Sequence, residues 1–337
     1  MEDEINKLVK YLVDKIDKGK LFNEKTVFPK ETDKNFVINF LDKYISKNKL
    51  VIFGNNAISY YLKKNNKIKL PIYLYSKNPE KDIINISKKI ASNYDMIKAR
   101  KIKNEYKILW EGQYEPIIII KKLPNIKNKS KFIKLEYILL DIFLDYITPR
   151  SNYYNWKDNI KVEKKLINLL KIKSNNRDIL NNDKLNLIIK ILKNEKNYFF
   201  SGLQQLKFEK KIKNIDYLDI FSLDSKNLIS KIKKIYPKIK VKDKEKYFDY
   251  LPKSYELYLN NKLLIKIYEI DKCYTHNGFY SNIYHLLIIL IINEPTLINL
   301  GLEIYNNLAD KFKYQGDCIG PLPEPINKSK FISLFSK

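Results

Sequence analysis

The segment Leu50-Val51-Ile52-Phe53-Gly54-Asn55-Asn56 constrains this chain more than any other. Four apolar residues in a row read as a buried strand, Gly54 closes it, and the asparagines lead into a helix with Ile58, Tyr61 and Leu62 on one face. Leu70 to Tyr75 is the next strand, and residues 79–93 read as a helix opened by Pro79-Glu80. Extended segments at 96–102, 106–110 and 116–120 complete the α/β order of a mostly buried sheet. Glycine and asparagine tolerate left-handed backbone, and amides at a helix start attract phosphate. Gly54, Asn55 and Asn56 are therefore candidate phosphate- or nucleotide-binding residues, although a tight strand-to-helix turn needs the same residues without any ligand.

Helical periodicity places Ile5, Leu8, Leu12 and Ile16 together, and Phe36, Phe40 and Tyr44 together, so residues 1–48 read as a helical N-terminal segment. A helix is expected over 132–147, broken by Pro149, with linking helices at 156–171 and 183–195. A domain boundary is expected near 196, dividing 49–195 from 196–337. The second half then repeats the first: strand Tyr198-Phe199-Phe200, the turn Ser201-Gly202, a helix, strand 217–221 and helix 224–235. A basic segment 238–246, strands 255–259 and 263–269, and helices 279–293 and 296–312 follow. The fold class is α/β (α+β), with a structural repeat.

Charge points to a partner. Among 337 residues, 64 Lys plus Arg against 38 Asp plus Glu leave a net charge of +26, which favours a polyanion. Basic residues with aromatics beside them recur at 207–213, 231–236 and 242–248, a combination suited to single-stranded RNA. Lys210, Lys211, Lys213, Lys233, Lys234, Lys242 and Lys244 are the candidate RNA-binding residues; solvated helix faces and loops are the plainer reading. Cys273 and Cys318 are the only cysteines and His276 and His285 the only histidines, which gives no zinc site of usual spacing and no disulfide framework. The N-terminus lacks the basic and apolar regions of a signal peptide, and the apolar run 283–292 is too short to span a bilayer. A cytoplasmic protein without membrane attachment is expected.

Several landmarks recur in a known order. The turn Gly54-Asn55 precedes Pro71-Ile72-Tyr73-Leu74 with Ser76 and Pro79, and the strand Pro116-Ile117-Ile118-Ile119-Ile120 follows. Helix 135–147 leads through Pro149 to Trp156-Lys157 and the basic helix 161–166. Cys273-Tyr274-Thr275-His276-Asn277 and Asp317-Cys318-Ile319-Gly320 close the series. In this order the chain resembles the catalytic subunits of poly(A) polymerases of large cytoplasmic DNA viruses, of giant amoebal virus and poxvirus type, over about residues 50–320. The resemblance implies two tandem polymerase-β-like nucleotidyltransferase units and extension of messenger RNA 3′ ends from ATP and magnesium. It also implies a second subunit, as a homodimer or as a heterodimer with an active poly(A) polymerase chain. Host cytoplasm or virion is the location it implies.

Family members carry an Asp-x-Asp strand and a third Asp. Here those places read Ile72, Leu74 and Ile119, none of which can bind magnesium. The expectation is a noncatalytic RNA-binding subunit with no cofactor and no metal site. Two alternatives stay open: an active, ATP- and magnesium-dependent adenylyltransferase, and a structural scaffold. For the active reading, Asp216, Asp219 and Glu269 are the weak candidates in the second half, with Asp224 nearby. Asp216 and Asp219 are three apart, which sends them to opposite faces of a strand. Asp141 and Asp145 share a helix face, and pairing with Lys134 or Arg150 is their simpler role.

Overall fold

The structure is a computed structural model that describes residues 31–64, 67–93, 97–102, 105–110, 115–123, 130–147, 156–170, 183–192, 198–247, 250–271, 274–277, 279–308 and 317–319. Expectations for residues 1–18, Arg150 and the side chains of Asp145 and of 273–277 fall outside these. The chain divides into two compact units at Ile138/Leu139, the second running to Glu324.

In the first unit, α1 (Glu31–Asn48) buries Val37, Leu41 and Ile45, one residue per turn, against the sheet. The strands are β1 (Val51–Phe53), β2 (Ile72–Ser76), β3 (Ile97–Ile102), β4 (Glu105–Trp110) and β5 (Pro116–Lys122). Between them lie α2 (Asn55–Tyr61) and α3 (Pro79–Ala91). Proline opens α3, acids Glu80 and Asp82 occupy its first turn, and Lys88 and Lys89 its last, an arrangement that complements the helix dipole. The sheet order is β1-β2-β5-β4-β3, with β2 parallel to β5 and the other pairs antiparallel. Ile72, Leu74, Ile118, Ile120 and Ile108 meet Ile83, Ile86 and Ile90 in one core. Each such side chain contributes about 1.5–3 kcal/mol by leaving water.

The second unit opens with the end of α4 (Leu135–Ile147), then α5 (Trp156–Ile167) and α6 (Lys184–Leu192). These linking helices group with the second sheet rather than the first, so the division does not fall near 196. Tyr250 donates to Asp141 at 2.5 Å, Tyr236 to the Lys184 carbonyl at 3.3 Å, and Phe143 packs on Tyr284. Then come β6 (Tyr198–Ser201), α7 (Gly202–Phe208), β7 (Leu218–Ser222), α8 (Ser225–Ile235), β8 (Lys240–Lys244), β9 (Ser254–Leu259) and β10 (Lys262–Glu269). The unit ends with β11 (Tyr274–Asn277), β12 (Tyr280–Ser281), α9 (Ile283–Asn293), α10 (Ile298–Leu308) and β13 (Asp317–Ile319).

The order β6-β7-β10-β9-β8 reproduces β1-β2-β5-β4-β3, including the parallel β7–β10 pair, so the repeat is real at the level of topology. It extends to the sheet edge. Phe132 bridges Ile52 in parallel just before α4, as Tyr280 bridges Phe200 just before α9. That bridge is why α4 starts at Leu135 and not at Phe132, and why the expected helix 279–293 starts at Ile283. The basic segment 238–246 contains the edge strand β8.

Three helices end on a lysine in left-handed backbone: Lys49 (φ 53°), Lys63 (φ 53°) and Lys210 (φ 56°). Around each the chain closes back, as Leu50 N–H to Ile45 C=O at 3.1 Å and Lys211 N–H to Leu206 C=O at 2.9 Å. Glycine is the favoured residue at such a position, and this chain has only 8. Among the described residues no helix is long and apolar enough to cross a membrane. Lys49→Gly should raise stability by about 0.5–1 kcal/mol through relief of left-handed strain; urea unfolding measures it.

Candidate active site

In each repeat a glycine at positive φ turns the chain from the first strand into a short helix: Gly54 at 66° and Gly202 at 55°. A Cβ on Gly54 would lie 3.0 Å from the Tyr73 ring, and one on Gly202 only 2.1 Å from Asp219 Oδ2. The two glycines therefore identify Tyr73 and Asp219 as equivalent positions, an equivalence the pairs Phe53↔Tyr73 and Ser201↔Asp219 repeat.

Strand alternation then fixes the rest of the face. Tyr73 is paired with Ile119, which is paired with Lys107; Tyr75 is paired with Lys121. The face above Gly54 thus carries Tyr73, Tyr75, Ile119, Lys107 and Lys121. Ile72 and Leu74 point the other way and are fully buried in the core with α3. The places expected for vacated acids were Ile72, Leu74 and Ile119, and these do not share a face. The residues beside Ile119 are Tyr73 and Tyr75. Phe53 stacks on Tyr75 at 4.1 Å and meets Tyr73 edge-on at 5.5 Å.

Glu105 supplies a carboxylate on this face, held by Lys121 at 2.7 Å and Lys107 at 2.9 Å. Burial alone would raise its pKa, but the two ammoniums outweigh this and lower it. Glu105 lay just outside the strand expected at 106–110, and its clamping by two lysines is not visible in the sequence. Asn56 is also committed. Its amide donates to the Lys69 and Pro71 carbonyls at 2.8 and 3.1 Å and accepts from Lys69 N–H at 2.8 Å, bracing the approach to β2. The Asn56 side chain is therefore a brace and not a phosphate ligand. Gly54 accepts from Ile58 N–H at 3.0 Å in the first turn of α2.

In the second repeat the same face reads Asp219, Phe221, Lys266 and Tyr268, with Lys266 at the place of Ile119. Asp219 is fully buried. Tyr268 donates to its Oδ1 at 3.0 Å, Asn293 donates to Tyr268 at 2.8 Å, and Oδ2 has no hydrogen-bond partner. Close by, Tyr217 donates to Glu294 at 2.9 Å, and the Lys266 ammonium stands 5.2 Å over the Tyr217 ring. Burial pushes the Asp219 carboxyl up to about 7; the Lys266 charge and the Tyr268 hydrogen bond pull it down, and Glu294 and Asp216 push it up. Helix α9 lies across this face, with His285 packed near Phe199 and Phe221 and Asn293 on Tyr268.

Of the other candidates, Asp216 acts on Asp219 through its charge, while Glu269 and Asp224 are engaged elsewhere. Glu269 is paired with Ser222, one step out of phase with Lys266 and Tyr268, so it points to the opposite face and accepts from Tyr255 at 3.0 Å. Asp224 caps α8 by accepting from Asn227 N–H at 3.2 Å. Asp216 is half-buried before β7 begins. Two divalent cations over a triphosphate need several carboxylate oxygens on one face. Tyr73, Tyr75 and Ile119 do not provide them, and Asp219, enclosed beside Phe221 and Lys266, gathers no metal-holding cluster of acids, histidines or cysteines among the described residues. Among those residues neither face fits a magnesium pair.

The candidate RNA-binding lysines fall into separate groups. Lys210 and Lys213 are exposed after α7, while Lys211 pairs with Glu303 at 2.9 Å. Lys233 and Lys234 are exposed in the last turn of α8. On β8, Lys242 stands 4.8 Å over the Tyr258 ring and Lys244 lies 3.6 Å from Glu256. Four strand spacings, about 19 Å, separate β6, which leads into α7, from β8, which carries Lys242 and Lys244.

No family model and no curated protein matches the sequence. Among solved structures, the crystal structure of the Megavirus polyadenylate synthase matches with a TM-score of 0.69, over 94% of this chain and 80% of that one, at 15% identity. The chain has the fold of a viral polyadenylate synthase. The expected mixed α/β architecture is present, repeated in topology and similar in fold to that synthase.

A carboxyl whose pKa is higher folded than unfolded holds its proton more tightly in the native state. The Asp219 contribution is therefore most favourable below about pH 4, falls as pH rises toward 7 and levels off above. The stability of wild type relative to Asp219→Asn should fall by about 2 kcal/mol between pH 5 and 7, at no more than about 1.4 kcal/mol per pH unit. Urea unfolding across that range measures it, and a constant difference contradicts it.

Proposed function

We propose that this chain is a noncatalytic poly(A) polymerase-like subunit that binds single-stranded RNA and supports 3′ polyadenylation of viral messenger RNA through an active partner chain. One observation carries the reading: the register of β2 with β5 puts Tyr73, Tyr75 and Ile119 above the glycine turn, where phosphoryl transfer would need carboxylates. Among the described residues the one carboxylate on this face, Glu105, is clamped by Lys107 and Lys121, which leaves no ligand set to hold two divalent cations over a triphosphate or beside an attacking 3′ hydroxyl. The fold likeness supports the polyadenylation context, and the +26 charge with exposed lysine groups supports the RNA. A dimer, with a second copy or with an active subunit, and action in the cytoplasm belong to the same proposal.

Two assays test it together. The pure protein with magnesium or manganese, an RNA primer and labelled ATP should incorporate no adenylate above background. Incorporation that vanishes on Asp219→Ala would overturn the noncatalytic reading. Filter binding to single-stranded RNA should weaken on the order of 10²-fold between 50 and 200 mM salt, as expected if about six phosphates are contacted at about 0.7 counterions each. Absence of binding even at low salt would favour a structural scaffold.

A further inference from the structure

The end of α7 exposes more aromatic surface than its surroundings explain. Phe208 is 59% exposed, yet its ring is stacked on Tyr280 at 4.2 Å and 24°. Tyr280 is fixed in turn, because β12 pairs with β6 at Phe200 and the two rings lie 6.1 Å apart. The next residue back, Phe279, is 57% exposed while its carbonyl accepts from Phe200 N–H at 2.7 Å. A held ring, a second ring stacked on it and an open outer face together form the start of a stack without its end.

Lysines surround this place. Lys207 sits in the last turn of α7, Lys210 turns outward in left-handed backbone, and Lys213 is exposed three residues on. Glu209 is the acid of the segment. A second copy docked here through a twofold axis would bring the same lysines together, which like-charge repulsion opposes. A ligand with flat apolar faces and a negative backbone satisfies both features.

We infer that Phe208, stacked on Tyr280 and flanked by Phe279, Lys207, Lys210 and Lys213, is a base-stacking platform for single-stranded RNA. The inference rests on the RNA-binding reading above and names the place where an unpaired base docks. A base extends the Tyr280–Phe208 stack while the lysines contact its neighbouring phosphates, an arrangement that tolerates any sequence. Because the outer face of Phe208 is in solvent, its truncation leaves the fold intact.

The test compares a fluorescently labelled 20-nucleotide oligo(A) with inorganic polyphosphate, which carries the charge but has no bases. Phe208→Ala should weaken oligo(A) binding roughly 5- to 100-fold and leave polyphosphate binding unchanged, with Phe208→Trp restoring it. In the wild type, an oligo(A) carrying 2-aminopurine should be quenched on binding, and Phe208→Ala should relieve the quenching. Wild-type binding of oligo(A) that Phe208→Ala leaves unaltered overturns the platform while sparing the RNA-binding reading. If the wild type binds no oligo(A) at all, both fall. An oligomer that dissociates on Phe208→Ala with RNA affinity unchanged overturns the platform in favour of a protein contact.

Discussion

The parallel pairing of the second strand with the last strand of each repeat decides what this protein presents above its glycine turns. Strand side chains alternate, so one hydrogen-bonded register puts Tyr73 with Ile119 on the site face and Ile72 with Ile118 in the core. A slip of one residue would exchange the two sets and expose isoleucines that α3 now covers. The burial of Ile72, Leu74, Ile118 and Ile120 therefore locks the register, and the register in turn places tyrosines and an isoleucine where cation ligands would stand.

The second repeat departs from a metal site differently. It keeps a carboxylate, Asp219, at the position of Tyr73, but with Phe221 and Lys266 at the neighbouring positions and α9 laid over the face. Gly202 is required there because any side chain would collide with Asp219. The buried carboxyl instead joins a chain of hydrogen bonds from Asn293 through Tyr268, which ties α9 to the sheet. Its free oxygen and its raised pKa follow from that enclosure.

Much of this architecture was legible in the sequence. The run Leu50 to Phe53 before Gly54, the proline start of α3 and the repeat beginning at Tyr198 are local signals, and they mark real elements. Phase is harder to read. Ile119 does lie on the site face, and the miss is in β2, where matching Pro71-Ile72-Tyr73-Leu74 to an Asp-x-Asp strand picks Ile72 and Leu74 although the Ile-Tyr-Leu-Tyr alternation turns Tyr73 and Tyr75 to that face. The edge strand β8 was hidden by its own lysines, a usual composition for an unprotected sheet edge. The bridges of Phe132 and Tyr280 onto β1 and β6 join residues some eighty apart and leave no local trace. The importance of Asp219 emerged only once Gly202 was matched with Gly54.

Among the described residues, neither glycine turn faces a pair of cation ligands. Manganese titration of the pure protein in the presence of a nonhydrolysable ATP analogue, followed by electron paramagnetic resonance, tests it directly. The account predicts that bound manganese never exceeds what the free nucleotide alone holds. Two protein-bound manganese ions per chain with the coupled signal of a close pair, lost when a single acidic side chain is replaced, would contradict it.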